Sequence, residues 1–120
     1  MFGAKNTMKT DLIQNLDEEA PYEMANLFPK HTGLPFVIWI SARGGARHDA
    51  RVKVSTNAKA LPGDMATVAI RPEVHLIEGE IDANAFHLLK AWIELNQATL
   101  IAYWESAIDT QDALNALVRL

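Results

Sequence analysis

The chain has 120 residues, 49% of them hydrophobic and 22% charged, with a net charge of -4 and no cysteine. That size supports one hydrophobic core but not two, and the composition is that of a folded globular domain. A disulfide framework and thiolate-ligated metal are excluded, and the longest apolar run, Leu34 to Ile40, is far too short to cross a bilayer. With no signal-like pattern over residues 1–30, these features predict a cytoplasmic protein without a membrane partner. The total charge conceals an asymmetry: residues 1–28 carry -3, residues 29–72 carry +5 and residues 73–120 carry -6. A basic middle between acidic flanks is either a ligand-facing surface or a partner for the acids around it.

Residues 1–9 lack periodicity and read as a flexible end, followed by a single domain over residues 10–120. Leu12, Ile13 and Leu16, behind a cap at Thr10 or Asp11, predict a short helix. Pro21 then ends it or opens a second one, "PYEMANLF". Two prolines and a glycine make "PKHTGLP" a loop. "FVIWI" (36–40) is apolar at both parities, which predicts an interior strand. "ARVKVS" (50–55) alternates, so Val52 and Val54 face inward while Arg51, Lys53 and Ser55 face out. The intervening "ARGGARHD" is a hairpin connection in which Gly44 and Gly45 supply positive φ. "TNAKALPGDM" reads as a loop; "ATVAIRP" and "EVHLIEGEI" read as one or two further strands, interrupted at Pro72.

Asp82 is an N-cap for a long helix from about Ala83 to Ala107. Its polar face is narrow (His87, Lys90, Glu94, Gln97, Glu105), and the apolar arc is wider than one sheet face requires. The N-terminal helices or a second copy of the chain must cover the excess. Asp109 or Thr110 caps a last short helix. The order predicts an α+β domain: an antiparallel three- to four-stranded sheet packed by one long C-terminal helix and short N-terminal helices.

The stretch "SARGGARHDARVKVS" (41–55) concentrates Arg43, Arg47, His48, Arg51 and Lys53 around the glycine pair Gly44-Gly45. Guanidinium groups and close backbone N–H groups can grip a phosphate, and His48 could act as acid or base if RNA were cleaved. The plainer alternative is a solvated strand face paired with helix acids. The remaining histidines, His31, His75 and His87, show no ligand spacing, so no metal and no cofactor are predicted. Ser41, Ser55 and Ser106 lack a nucleophile elbow. Glu78 and Glu80 read as an exposed strand face. Trp39, Trp92, Tyr103 and Trp104 are either core or a stacking platform, with helical spacing favouring core. Asn96 lies inside the apolar arc, where a polar side chain needs a backbone partner or fixes register at an interface.

The segments "FVIWIS", "RHDARVKVS" and "LIEGEIDANAFHLLKAWIELNQATLIAYWESA" resemble a small family of uncharacterised bacterial proteins over about residues 36–108. Gly79-Glu80-Ile81 matches the family's lead-in strand, and Trp92, Glu94, Leu95, Asn96, Leu100, Trp104 and Glu105 match its helix. Members are often encoded beside toxin–antitoxin-like genes, so the resemblance implies a protein partner or an RNA target. The family's turn usually holds two or three histidines and a proline; here His48 stands alone among arginines. The resulting expectation is a non-catalytic interaction module, as a homo-oligomer or with a small protein partner in a toxin–antitoxin-like pair. The alternative is an RNA- or anion-binding protein, ribonuclease-like through His48, using the basic hairpin Arg43 to Lys53.

Overall fold

β-Branched and aromatic runs of opposite parity build the sheet. The computed structural model describes residues 24–55 and 65–120. Strands β1 (Met24–Leu27), β2 (Val37–Ser41), β3 (Arg51–Ser55), β4 (Met65–Ala69) and β5 (His75–Glu78) pair antiparallel in sequence order. Helices α1 (Pro29–Thr32), α2 (Ala83–Leu95), α3 (Gln97–Trp104) and α4 (Thr110–Ala116) complete the α+β fold. Ile38, Ile40, Val52, Val54 and Val68 form one sheet face and are buried against Leu89, Trp92, Ile93, Leu100, Tyr103 and Trp104.

Four expectations are corrected. The sheet has five strands, where three or four were predicted. The additional one, β1, falls where a helix was read: Leu27 pairs with Ile38 and is fully buried, so a tertiary ladder overrides local preference. "PKHT" is a single helical turn and not loop; Pro29 stands at its start and Gly33, at φ 81, ends it, but four residues are too few to show a period. Ser55 is fully buried where it was read as facing out. The helix expected over residues 10–20 and the loop at residues 56–64 lie outside the described residues.

The long helix is also divided. Asn96 (φ -111, ψ 15) separates α2 from α3, and its side chain holds the C-terminal tail. Nδ2 donates to the carbonyls of Trp92 and Val118, both at 3.0 Å, and Oδ1 accepts the Val118 N–H at 2.7 Å. The tail continues to Leu120, whose N–H bonds the Thr32 carbonyl at 2.8 Å. Between them the tail and α4 cover part of the wide apolar arc; Ala113 is buried and the Tyr103 hydroxyl meets the Thr110 Oγ1 at 2.8 Å. Leu88 and Leu95 remain 41% and 52% exposed.

α3 stops at Trp104, short of the expected Ala107, in a Schellman motif. The Ser106 N–H bonds the Tyr103 carbonyl at 3.1 Å and the Ala107 N–H bonds the Ala102 carbonyl at 2.9 Å. Its left-handed residue is Ser106, at φ 61, where glycine is usual. This stop fixes where Trp104 and Glu105 sit, and both residues reach the basic turn.

Three substitutions test these local constraints. Ser106→Gly relieves a left-handed Cβ and is expected to stabilise by up to about 1 kcal/mol in thermal or urea unfolding. Gly33→Ala is expected to destabilise by at least about 1 kcal/mol, because a Cβ at that positive φ would stand 2.7 Å from the Leu120 carbonyl oxygen. Asn96→Leu leaves the Val118 amide and carbonyl unpaired. It is expected to cost about 1–3 kcal/mol and to accelerate hydrogen exchange at the Val118 amide.

Candidate functional site: the basic turn between β2 and β3

The chain leaves β2 at Ser41 and is pinned at once, because the Arg43 N–H donates to the Trp104 carbonyl at 2.7 Å. A tight turn follows: the Ala46 N–H bonds the Arg43 carbonyl at 2.9 Å, with Gly44 at φ 54. Positive φ at the first central position suits the twist of paired strands and favours glycine. Gly45 meets no such demand; a Cβ there would find nothing within 4 Å.

Beyond the turn, Asp49 anchors the returning strand through Arg71. Arg71 Nε lies 3.1 Å from both Asp49 oxygens, and Nη2 lies 3.0 Å from Oδ1 and 3.2 Å from Glu105 Oε2. One guanidinium thus ties the turn, the end of β4 and the end of α3 together. Its hydrogen bonds, followed by one from the Ala50 backbone, hold the Asp49 carboxyl below the ordinary value of 3.8. Arg71 is raised in turn, first by Asp49 and then by Glu105.

His48 lies against Trp104, with ring centroids 5.4 Å apart and planes tilted 31°. Its Nδ1 is 3.0 Å from the Asp49 carbonyl. A carbonyl only accepts, so the bond places a proton on Nδ1 and leaves Nε2 of the neutral ring as the acceptor. Ser41, Ala42, Arg43, Gly45, Ala46, His48 and Trp104 line a half-open depression of about 180 Å³.

The fold therefore sorts the sequence-predicted residues into two groups. Arg43, Gly45 and His48 line the depression, with Gly44 at the exposed turn and Arg47 exposed beside them. Arg51 and Lys53 belong to the sheet face opposite the helices, where Lys53 is the direct cross-strand neighbour of Trp39. Asn96 sits apart, at the α2–α3 junction. Trp92, Tyr103 and Trp104 are core, whereas Trp39 is only partly buried.

Among the described residues, ion pairs join Arg71 to Asp49 and Glu105, and Lys90 to Glu94. Arg43, Arg47, Arg51 and Lys53 are in none of them, so the basic stretch is not neutralised by helix acids within the described residues. Arg51 Nε is buried without a hydrogen-bond partner. Among the described residues no three His, Asp or Glu side chains gather where they could hold a metal ion, and no helix is long and apolar enough to cross a membrane.

Sequence reasoning missed Arg71, the residue that organises the site. Its partners lie 22 and 34 residues away, and no local pattern joins them.

Residues 58–105 match the model of DUF4160, a domain of unknown function. The DUF4160 match includes Arg71, Trp104 and Glu105, which hold the turn, but not the turn itself. Comparison with curated proteins and with solved structures gives no match.

The ion pair makes a titration prediction. A carboxyl depressed by a partner contributes stability above its unfolded value, and loses it as pH falls through the lower folded value. Arg71→Ala is expected to bring the Asp49 midpoint back up towards 3.8 in a carboxyl NMR titration. The same substitution should broaden or shift the His48 ring resonances as the turn loosens.

Proposed function

We propose that this protein is a non-catalytic RNA-binding module whose contact surface is the basic turn and the adjoining face of β2 and β3. The observation carrying this reading is that Arg43, Arg47, Arg51 and Lys53 form no ion pair among the described residues while Asp49 and Glu105 are engaged by Arg71, with Arg43 adding only a longer-range attraction to Asp49. Cations left unpaired beside engaged acids present net positive potential to a polyanion. Single-stranded nucleic acid is favoured because partly buried Trp39 stands directly beside Lys53, a pairing of stacking surface and phosphate contact. A binding role is favoured over cleavage because the depression offers a single acid–base candidate, His48.

A second reading, an interaction module with a protein partner of the toxin–antitoxin-like kind, draws on a different surface. Leu88 and Leu95 share one face of α2, and Val118 beside Asn96 is also exposed.

A short labelled RNA titrated at several salt concentrations separates the two. Binding is expected to weaken steeply with salt, and Arg47→Ala/Lys53→Ala to reduce the logarithmic slope by about 1 to 2. Absence of binding at low salt would overturn the RNA reading and direct attention to the α2 face.

A further inference from the structure

We propose that the depression at the basic turn seats a terminal phosphate monoester, so that the protein prefers a phosphorylated RNA end over an internal phosphodiester. This rests on the RNA-binding reading and adds a preference that the reading alone does not require.

The first argument is size. At about 180 Å³ the depression is smaller than the roughly 300–1,000 Å³ of sites that enclose drug-sized ligands. It suits a compact polar group and not a nucleoside.

The second is lining chemistry. Ser41 brings a hydroxyl, Arg43 a guanidinium and His48 an imidazole. Arg43 can turn towards a ligand, since its only side-chain hydrogen bond among the described residues is a long one, 3.5 Å from Nε to the Ala46 carbonyl. Of the lining backbone groups at the turn, the Gly45 N–H makes no hydrogen bond there, while the Arg43 and Ala46 N–H groups are used. The Ser41 hydroxyl, the Arg43 guanidinium and the Gly45 N–H are donors, the neutral His48 ring offers Nε2 as an acceptor for the proton of a monoprotonated phosphate monoester, and no carboxylate lines the depression. The nearest one, Asp49, accepts three contacts from Arg71 and is compensated there.

The third is enclosure. One side of the depression is closed by Trp104, which is buried and packed against the His48 ring. An internal phosphodiester must continue into sugar on both sides, whereas a terminal phosphate needs only one exit. A monoester also carries about -1.5 to -2 charge at neutral pH, against one for a diester, so it gains more from the same cationic donors.

The test uses the full chain and one RNA sequence in three internally labelled forms: unphosphorylated, 5′-phosphorylated and 3′-phosphorylated. Affinities are read by anisotropy for wild type, Arg43→Ala, His48→Gln and Lys53→Ala, with inorganic phosphate titrated separately by calorimetry. The expected result is at least tenfold tighter binding of one phosphorylated form by the wild type. Arg43→Ala and His48→Gln should erase that preference, while Lys53→Ala weakens all three RNAs alike.

Equal affinity for the three RNAs would overturn the terminal-phosphate assignment and leave RNA binding standing. A preference that survives in both Arg43→Ala and His48→Gln would place the end elsewhere and equally overturn it. Inorganic phosphate binding as tightly as the phosphorylated RNA would make the ligand free phosphate. No binding of any RNA would remove both readings.

Discussion

The end of α3 is the constraint on which the rest of the site depends. A Schellman motif around left-handed Ser106 stops the helix at Trp104. Trp104 then accepts the Arg43 N–H through its carbonyl and supports the His48 ring with its indole, while Glu105 shares the Arg71 guanidinium with Asp49. If the helix ran on to Ala107, as its composition suggests, the Trp104 carbonyl would be taken by an intrahelical bond and the turn would lose its first anchor. A helix stop thus becomes the foundation of a loop far away in sequence.

A similar economy governs the other side of the molecule. Asn96 interrupts the helix and uses its amide to receive the C-terminal tail, and Gly33 ends α1 in a conformation that lets Leu120 pass close by. These backbone contacts bring α4 and the tail onto the apolar arc of α2 and α3. Coverage of much of that arc is therefore intramolecular, with Leu88 and Leu95 left at its border. The polar residue at the centre of an apolar face is the price of the tail's docking, and it is fully paired.

Charge is distributed by the same logic. The acids near the turn are paired by Arg71, which the fold brings from the end of β4, while Arg43 adds only a weaker, unbonded attraction to Asp49. Because a guanidinium can bind two carboxylates through separate N–H groups, one residue satisfies both Asp49 and Glu105. The cations of the turn keep their charge available. That division underlies both the RNA reading and the narrower assignment to a phosphate end.

The sequence alone determined the α+β class, strands at about residues 36–40 and 50–55, the Asp82 cap, a last cap at Asp109 or Thr110 that the structure places on Asp109, and the concentration of positive charge around Gly44. Those are local properties, expressed in period, capping chemistry and composition. It also marked Asn96, since a polar residue within an apolar period is visible without coordinates. Tertiary structure alone decided that Met24–Leu27 is a strand, because Leu27 gains more from pairing with Ile38 and burial than its segment gains from helix. It decided that Trp39 stays at the surface side while the other tryptophans enter the core. Above all it decided which cation meets Asp49: residues 49, 71 and 105 belong to separate elements, and only the closed fold brings their charges within hydrogen-bonding distance.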